Sequence, residues 1–256
     1  MIRRALPLFI ATLLGGCSCP PTKVVAPPLE AFTDAIPGTS VEFSMIPIQG
    51  DGTVAPFYAS STEQTWDIYD VFVFNLDTET GGSTPQSDAV TRPSKPYVLA
   101  DRGYGHMGFA FLSASPKALE QFLEWLQVKT GHPYRLPTVA EMHFMLANSG
   151  VTAKNLQEYA WVDENADWAT HAVGTKPADA LGLYDLWGNL AEYALTKDGE
   201  YVVLGGSWLD PASEISIDYM KPFTPLWNKD DPQIPQSIWW LASNDWVGLR
   251  VVCDPF

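Results

Sequence analysis

The run GLYDLWGNLAEY, from Gly182 to Tyr193, sets glycines, an asparagine and a glutamate at fixed offsets among large apolar side chains. Glycine permits a sharp backbone path, so the run predicts a tight turn inside a core, with Asn189 and Glu192 aimed at one point. Two further glycine-bearing runs come later, LGGSW at Leu204–Trp208 and VGLRVV at Val247–Val252. Asn189 and Glu192 supply side-chain oxygens beside exposed carbonyls, and hard oxygen ligands of this kind suit calcium. The other reading of the same residues is a buried turn held by hydrogen bonds alone.

Around this run the chain is aromatic and rich in breakers: 10 Trp, 10 Tyr, 12 Phe, 21 Pro and 19 Gly. That mixture predicts an irregular, loop-rich α+β domain with few helices, and about 220 residues from Ile36 onward suffice for one core. Three helices are predicted. Thr65 caps the first, over Trp66–Phe74, with Trp66, Tyr69, Phe72 and Val73 inward. Ser115 caps the second, Pro116 takes its first position, and Leu119, Phe122, Leu123 and Leu126 form an apolar stripe that Trp125 widens. The third opens at Thr138 with Glu141 three residues on, a capping box. Strands are expected over Val41–Ile48, Tyr97–Ala100, Ala160–Val162, Tyr201–Leu204 and Val247–Cys253. Residues 78–102 read as a long surface excursion. The loop residues Asp163, Asn165 and Asp167 have calcium-loop spacing without the turning glycine, and read as a solvated acidic loop.

The N-terminus carries a different signal. Arg3 and Arg4 precede an apolar stretch, Leu6–Leu14, too short to span a bilayer. It ends in Leu14-Gly15-Gly16-Cys17, which resembles the bacterial lipobox, in which the cysteine is lipidated and becomes the mature N-terminus. An ordinary secretory signal is the other reading, and both take the protein out of the cytoplasm. Residues 1–16 are thus read as the signal peptide, residues 17–37 as a Pro-rich tether without helical or strand period, and residues 38–256 as the domain. Ser18 after Cys17, with no Asp retention signal, points to the outer membrane, with the lipid as the only membrane attachment. The formal charge is −15, and the loss of Arg3 and Arg4 with the signal takes it to −17. So acidic a surface repels nucleic acid and anionic lipid. Of three cysteines, Cys17, Cys19 and Cys253, the last two either pair in an oxidising compartment or stay separate.

The ordered fragments resemble the sulfatase-modifying-factor family, the formylglycine-generating enzymes and their non-enzymatic relatives. Met45–Ile48 resembles the family's opening strand, and Tyr134-Arg135-Leu136-Pro137-Thr138-Val139-Ala140-Glu141 its YRLPTEAEWE run. Val173–Pro177, Gly182–Tyr193, Gly205–Trp208 and Gly248-Leu249-Arg250 come next in family order, over about residues 40–253. The resemblance implies an irregular α+β fold related to C-type lectins. It also implies a structural calcium ion held by main-chain oxygens near Trp187, Gly188 and Leu190 and by the Glu192 carboxylate, with Asn189 in the same turn.

The family's oxidases hold copper with two cysteines that lie after the GGSW-like segment, and soft thiolates suit Cu(I). No cysteine lies between Gly205 and Arg250, and Cys253 lies past the matching positions. Copper is therefore not expected, and no catalytic residue is assigned. The iron-binding branch, the sulfoxide synthases, needs a histidine cluster, whereas His106, His132, His143 and His171 show no such spacing. Neither a nucleophile elbow, nor a P-loop, nor a dinucleotide fingerprint is present. The segment after Gly206 is aromatic: Trp208, Trp227, Trp239, Trp240 and Trp246 form either a recognition surface for a protein or carbohydrate or part of the core, with one of Trp239 and Trp240 exposed if the segment is extended. The expected function is a non-catalytic binding or assembly domain on a cell-envelope lipoprotein. The alternative is a formylglycine-generating oxidoreductase with relocated metal ligands.

Overall fold

The computed structural model describes residues 28–77, 93, 96 and 99–256. Cys17, Cys19, the signal peptide, most of the tether and most of the 78–102 excursion lie outside the described residues.

Local signals set the helices. α1 (Trp66–Phe74) comes after Thr65, whose backbone is extended but whose side chain makes no capping bond, and ends on Asn75 in a left-handed conformation. α2 (Pro116–Thr130) has the Ser115 side chain accepting from the Ala118 N–H and stops at left-handed Gly131. α3 (Val139–Asn148) carries both halves of the capping box between Thr138 and Glu141, which satisfies two of the free N–H groups of its first turn. A single further turn, α4 (Leu156–Tyr159), comes next. Among the described residues no helix is long and apolar enough to cross a membrane.

Strands β1 (Phe32–Ala35), β2 (Glu42–Ile48), β3 (Phe57–Ser60), β4 (Tyr134–Arg135) and β9 (Val252–Cys253) make one antiparallel sheet in the order β1-β2-β3-β9-β4. The second sheet has the order β7-β6-β5-β8, from β5 (Ala191–Leu195), β6 (Tyr201–Leu204), β7 (Met220–Pro222) and β8 (Val247–Gly248), with β5 and β8 parallel. The stretch Leu249–Val251 joins the sheets. It accepts Gln64 N–H at 2.7 Å on Leu249 and Ser60 N–H at 2.9 Å on Val251. Two apolar clusters fill the interior, one around Tyr69, Phe111, Phe122 and Leu249, the other around Phe57, Met142, Met145 and Leu204.

Three expectations change. The segment read as tether enters the sheet at β1, where Phe32 pairs with Met45 and Ala35 with Glu42. Ala160–Val162 makes only an isolated bridge, Trp161 to Gly188, because its neighbours turn away on both sides. Val247–Cys253 is two short strands in different sheets rather than one. Of the expected Tyr97–Ala100 strand, Tyr97 and Val98 lie outside the described residues, and Ala100 is in a turn.

Candidate functional site

The glycine run folds as a chain of left-handed residues: Gly182, Asp185, Gly188 and Asn189 have φ of 85°, 53°, 71° and 52°. Asn tolerates that region better than most side chains because its short polar group bonds locally. The Asn189 N–H reaches the Trp161 carbonyl at 2.8 Å and the Gly188 N–H the Gly205 carbonyl at 3.1 Å, while the Asn189 carbonyl accepts from Trp208 N–H at 2.9 Å. The turn thereby ties the 161 loop to the 205–208 segment and releases the chain into β5.

Its two polar side chains are fully buried, at 0 % exposure. Asn189 Oδ1 accepts from His171 N–H at 2.9 Å, and Nδ2 donates to Glu63 Oε2 at 2.6 Å. The other Glu63 oxygen accepts from the Leu190 N–H at 2.9 Å. Glu192 faces Arg250. Arg250 Nε donates to both carboxylate oxygens at 3.0 Å and Nη2 to Oε1 at 2.7 Å. The guanidinium also donates to the Ser60 and Tyr184 carbonyls, both at 2.7 Å. Asp185 completes the cluster; its Oδ2 accepts from Gly174 N–H at 2.7 Å, and its Oδ1 is buried with no hydrogen-bond partner among the described residues.

The turn expected from the sequence is therefore present, but its side chains do not fit the expected calcium ion. The Glu192 carboxylate is taken up by a guanidinium, and the Asn189 amide oxygen by a backbone N–H. Trp187, Gly188 and Leu190, the residues expected to offer main-chain oxygens, flank them in the buried turn; the Trp187 indole donates to Ser149 Oγ at 3.0 Å. Asn165 also turns inward, its Oδ1 accepting from Val162 N–H at 2.8 Å, while Asp163 and Asp167 are exposed.

Three buried carboxylates share one guanidinium. Burial, then the Asp185 and Glu192 charges, push Glu63 well above the usual carboxylate range, and burial also raises Asp185. Burial raises Glu192 too, against the pull of Arg250. A carboxyl whose folded pKa is raised adds stability that is complete below its unfolded pKa and is lost as pH climbs through the folded value. Unfolding midpoints are thus expected to fall from mildly acidic to mildly alkaline pH. Asp185→Asn, which keeps an acceptor for Gly174, flattens that slope and raises the midpoint at alkaline pH. An unchanged slope in the variant would remove Asp185 from the account.

The segment after Gly206 is pinned by Asp210. Its Oδ2 accepts from Ser207 N–H at 2.9 Å, Ser207 Oγ at 2.6 Å and Tyr219 OH at 2.8 Å, while Lys221 Nζ meets Oδ1 at 2.8 Å. The tryptophans read as either recognition surface or core pack largely as core, with Trp227 and Trp246 only partly buried. Trp208, Trp239 and Trp240 are buried, and Trp227 and Trp246 pack edge to face at 5.0 Å against the same core. Trp239 and Trp240 are both covered because their segment lies inside the domain: the Trp239 carbonyl accepts from Ser115 N–H, and Trp240 bridges to Ala114. Cys253 is a free thiol, wholly buried in β9 and pushed up to about 11, chiefly by burial. One shielded, protonated thiol does not fit a two-thiolate copper site.

The family profile described as sulfatase-modifying factor enzyme 1-like domain matches residues 50–254. The chain belongs to that family. Treponema denticola variable protein 1 superposes with a TM-score of 0.62 at 17% identity, over 88% of this chain and 99% of the other. PvdO from Pseudomonas aeruginosa gives 0.55 at 18% identity, over 89% and 92%. CarF gives 0.52 at 18% identity, over 90% and 99%. At such identities the likeness is one of fold. No curated protein matches the chain.

Glu63, Asp185 and Arg250 are the members of the cluster that sequence reasoning missed. Glu63 reads as a residue ahead of a helix cap, and Arg250 as part of a strand. Only the tertiary fold brings them to Asn189 and Glu192, 126 and 58 residues away respectively.

Proposed function

We propose that this sulfatase-modifying-factor-like domain is non-catalytic and serves as a ligand- or protein-binding module of a cell-envelope lipoprotein, attached through a lipid on Cys17. The observation that supports this reading is the state of the donor set. After Gly206 the only thiol is Cys253, which is buried with a raised pKa, and Asp210 is spent on four hydrogen bonds. Copper-dependent oxygen activation needs soft ligands that are deprotonated and reachable, and this domain presents neither. Its buried polar cluster ties distant segments of the scaffold together, which suits a domain that presents loops to a partner.

The test loads the purified protein with Cu(I) and monitors conversion of cysteine to formylglycine on a sulfatase-derived peptide. The expected result is no stoichiometric copper and no turnover. Tight copper binding with turnover would replace this reading by that of an oxidase with relocated ligands.

A further inference from the structure

Beside α1 lies a cavity of about 240 Å³ whose walls are apolar and whose charge is acidic. Trp66, Phe74 and Trp240 line it together with Asp70, Asp101 and His106. The Trp66 ring stacks with His106 at 5.0 Å and 18° and with Trp240 at 6.5 Å and 25°. His106 Nε2 lies 2.7 Å from Asp70 Oδ2, and its Nδ1 lies 2.8 Å from Asp101 Oδ2.

Carboxylates only accept, so a ring bonded to two of them donates from both nitrogens and is an imidazolium. Burial opposes the charged ring, but the bonds to Asp70 and Asp101 outweigh it, and His106 stays above its ordinary pKa. Two carboxylates and one imidazolium leave the cavity a net negative charge. Asp67, whose Oδ2 accepts from Gly108 N–H, adds another acid nearby on α1. The Arg102 guanidinium donates to the Ser113 hydroxyl and the Leu241, Ala242 and Asn244 carbonyls rather than to either carboxylate.

Asp101 is saturated, its Oδ1 accepting from Gly103 N–H at 2.9 Å. Asp70 Oδ1 has no hydrogen bond among the described residues, although Asp70 is part-buried and raised above its usual pKa, mainly by burial. The wall residue Trp66 is 2 % exposed, and its indole N–H is buried with no partner among the described residues. The cavity thus combines aromatic faces, an open carboxylate oxygen and a wall residue with an unsatisfied donor. Aromatic faces attract cations, and a carboxylate beside them fixes an ammonium group.

We propose that this cavity binds a small organic cation, an ammonium group carried on an apolar or aromatic body, with Asp70 as the counter-charge and Trp66 and Trp240 as the walls. This gives the binding role above a ligand class, and it stands or falls separately from the oxidase assay, since the cavity contains no oxidase ligand.

The experiment titrates the full chain with tyramine and with tyrosol, which carries the same ring and chain but a neutral hydroxyl in place of the ammonium. Tryptophan fluorescence, excited where the probes do not absorb, and calorimetry give the affinities. Tyramine is expected to bind about tenfold more tightly than tyrosol, the scale of a desolvated cation–aromatic contact plus one charge pair. Asp70→Asn, checked for folding by thermal melting, is expected to cut that preference to about threefold, the cation–aromatic share that remains. Should that variant fail to fold, added salt applied to the wild type makes the same comparison, because it weakens only the charged probe. Equal affinity of the two probes for the wild type, or no saturation by tyramine at millimolar concentration, overturns the proposal. So does a folded Asp70→Asn variant that still prefers tyramine tenfold.

Discussion

Arg250→Met is expected to lower the unfolding free energy by about 3–5 kcal/mol, the usual cost of stranding one member of a buried ion pair. For a domain of this size that is a loss of roughly 10 °C in melting temperature. Glu192 is wholly buried, and its carboxylate receives three contacts from one guanidinium. With methionine in place the carboxylate must protonate or admit water. The Ser60 and Tyr184 carbonyls also lose their donor. The double variant Glu192→Met with Arg250→Met removes the stranded charge but not the two orphaned carbonyls. It is therefore expected to be more stable than Arg250→Met alone by about 2 kcal/mol, yet less stable than the wild type. Urea denaturation of the wild type, Arg250→Met, Glu192→Met and the double variant gives the coupling directly. Losses that simply add would show that the two residues do not act as a pair. A calcium chelator serves as the control: it should leave the wild-type melting temperature unchanged, and a drop comparable to that of Arg250→Met would mean that Glu192 holds a metal after all.

How much of this was legible in the sequence depends on the range of each interaction. The capping box at Thr138 and Glu141 and the Ser115 cap are settled within four residues, and both appear in the structure where the pattern put them. The family fold was legible too, because its fragments occur in order and the matching profile covers residues 50–254. Strands of two residues such as Tyr134–Arg135 and Val252–Cys253 leave no alternation to read, since their place comes from the sheet they join. The turn at Gly188 and Asn189 was visible, but its partners were not. Glu63 and Arg250 reach it only through the packing of two sheets, and a lone Glu or Arg carries no mark of burial. That gap made a calcium ion the natural expectation for Glu192, where the structure sets a guanidinium. The aromatic run from Trp208 to Trp246 left two readings open for a related reason. In a domain with few regular elements large rings fill the interior, and sequence alone does not separate a ring that packs from one that recognises.

Gly188→Ala is expected to be the most damaging single methyl group that can be added to the turn. Two costs combine there. A non-glycine residue at φ 71° loses about 1–2 kcal/mol to the left-handed region. The new Cβ would also stand 2.3 Å from the Trp161 carbonyl oxygen and 3.0 Å from its carbon and nitrogen, and backbone cannot swing aside as the end of a flexible side chain does. The 161 loop must shift, which breaks the Asn189 N–H bond to Trp161 and loosens the Gly188 bond to Gly205. Each is worth about 1 kcal/mol net, and more where the groups stay buried. The total is about 3–4 kcal/mol. Gly199 separates the two costs: its φ is 81°, but a Cβ there meets nothing within 4 Å. Gly199→Ala should therefore show the conformational cost alone, about 1 kcal/mol. Chemical denaturation of both variants measures the difference. If the two alanines destabilise equally, the contact with Trp161 contributes nothing, and the turn does not lock the 161 loop to the 205–208 segment. If Gly188→Ala is the worse by the expected margin, the glycine is required by that close approach as well as by its dihedral angle. The 161 loop and the 205–208 segment would then be held together by a close approach that only glycine permits at this position.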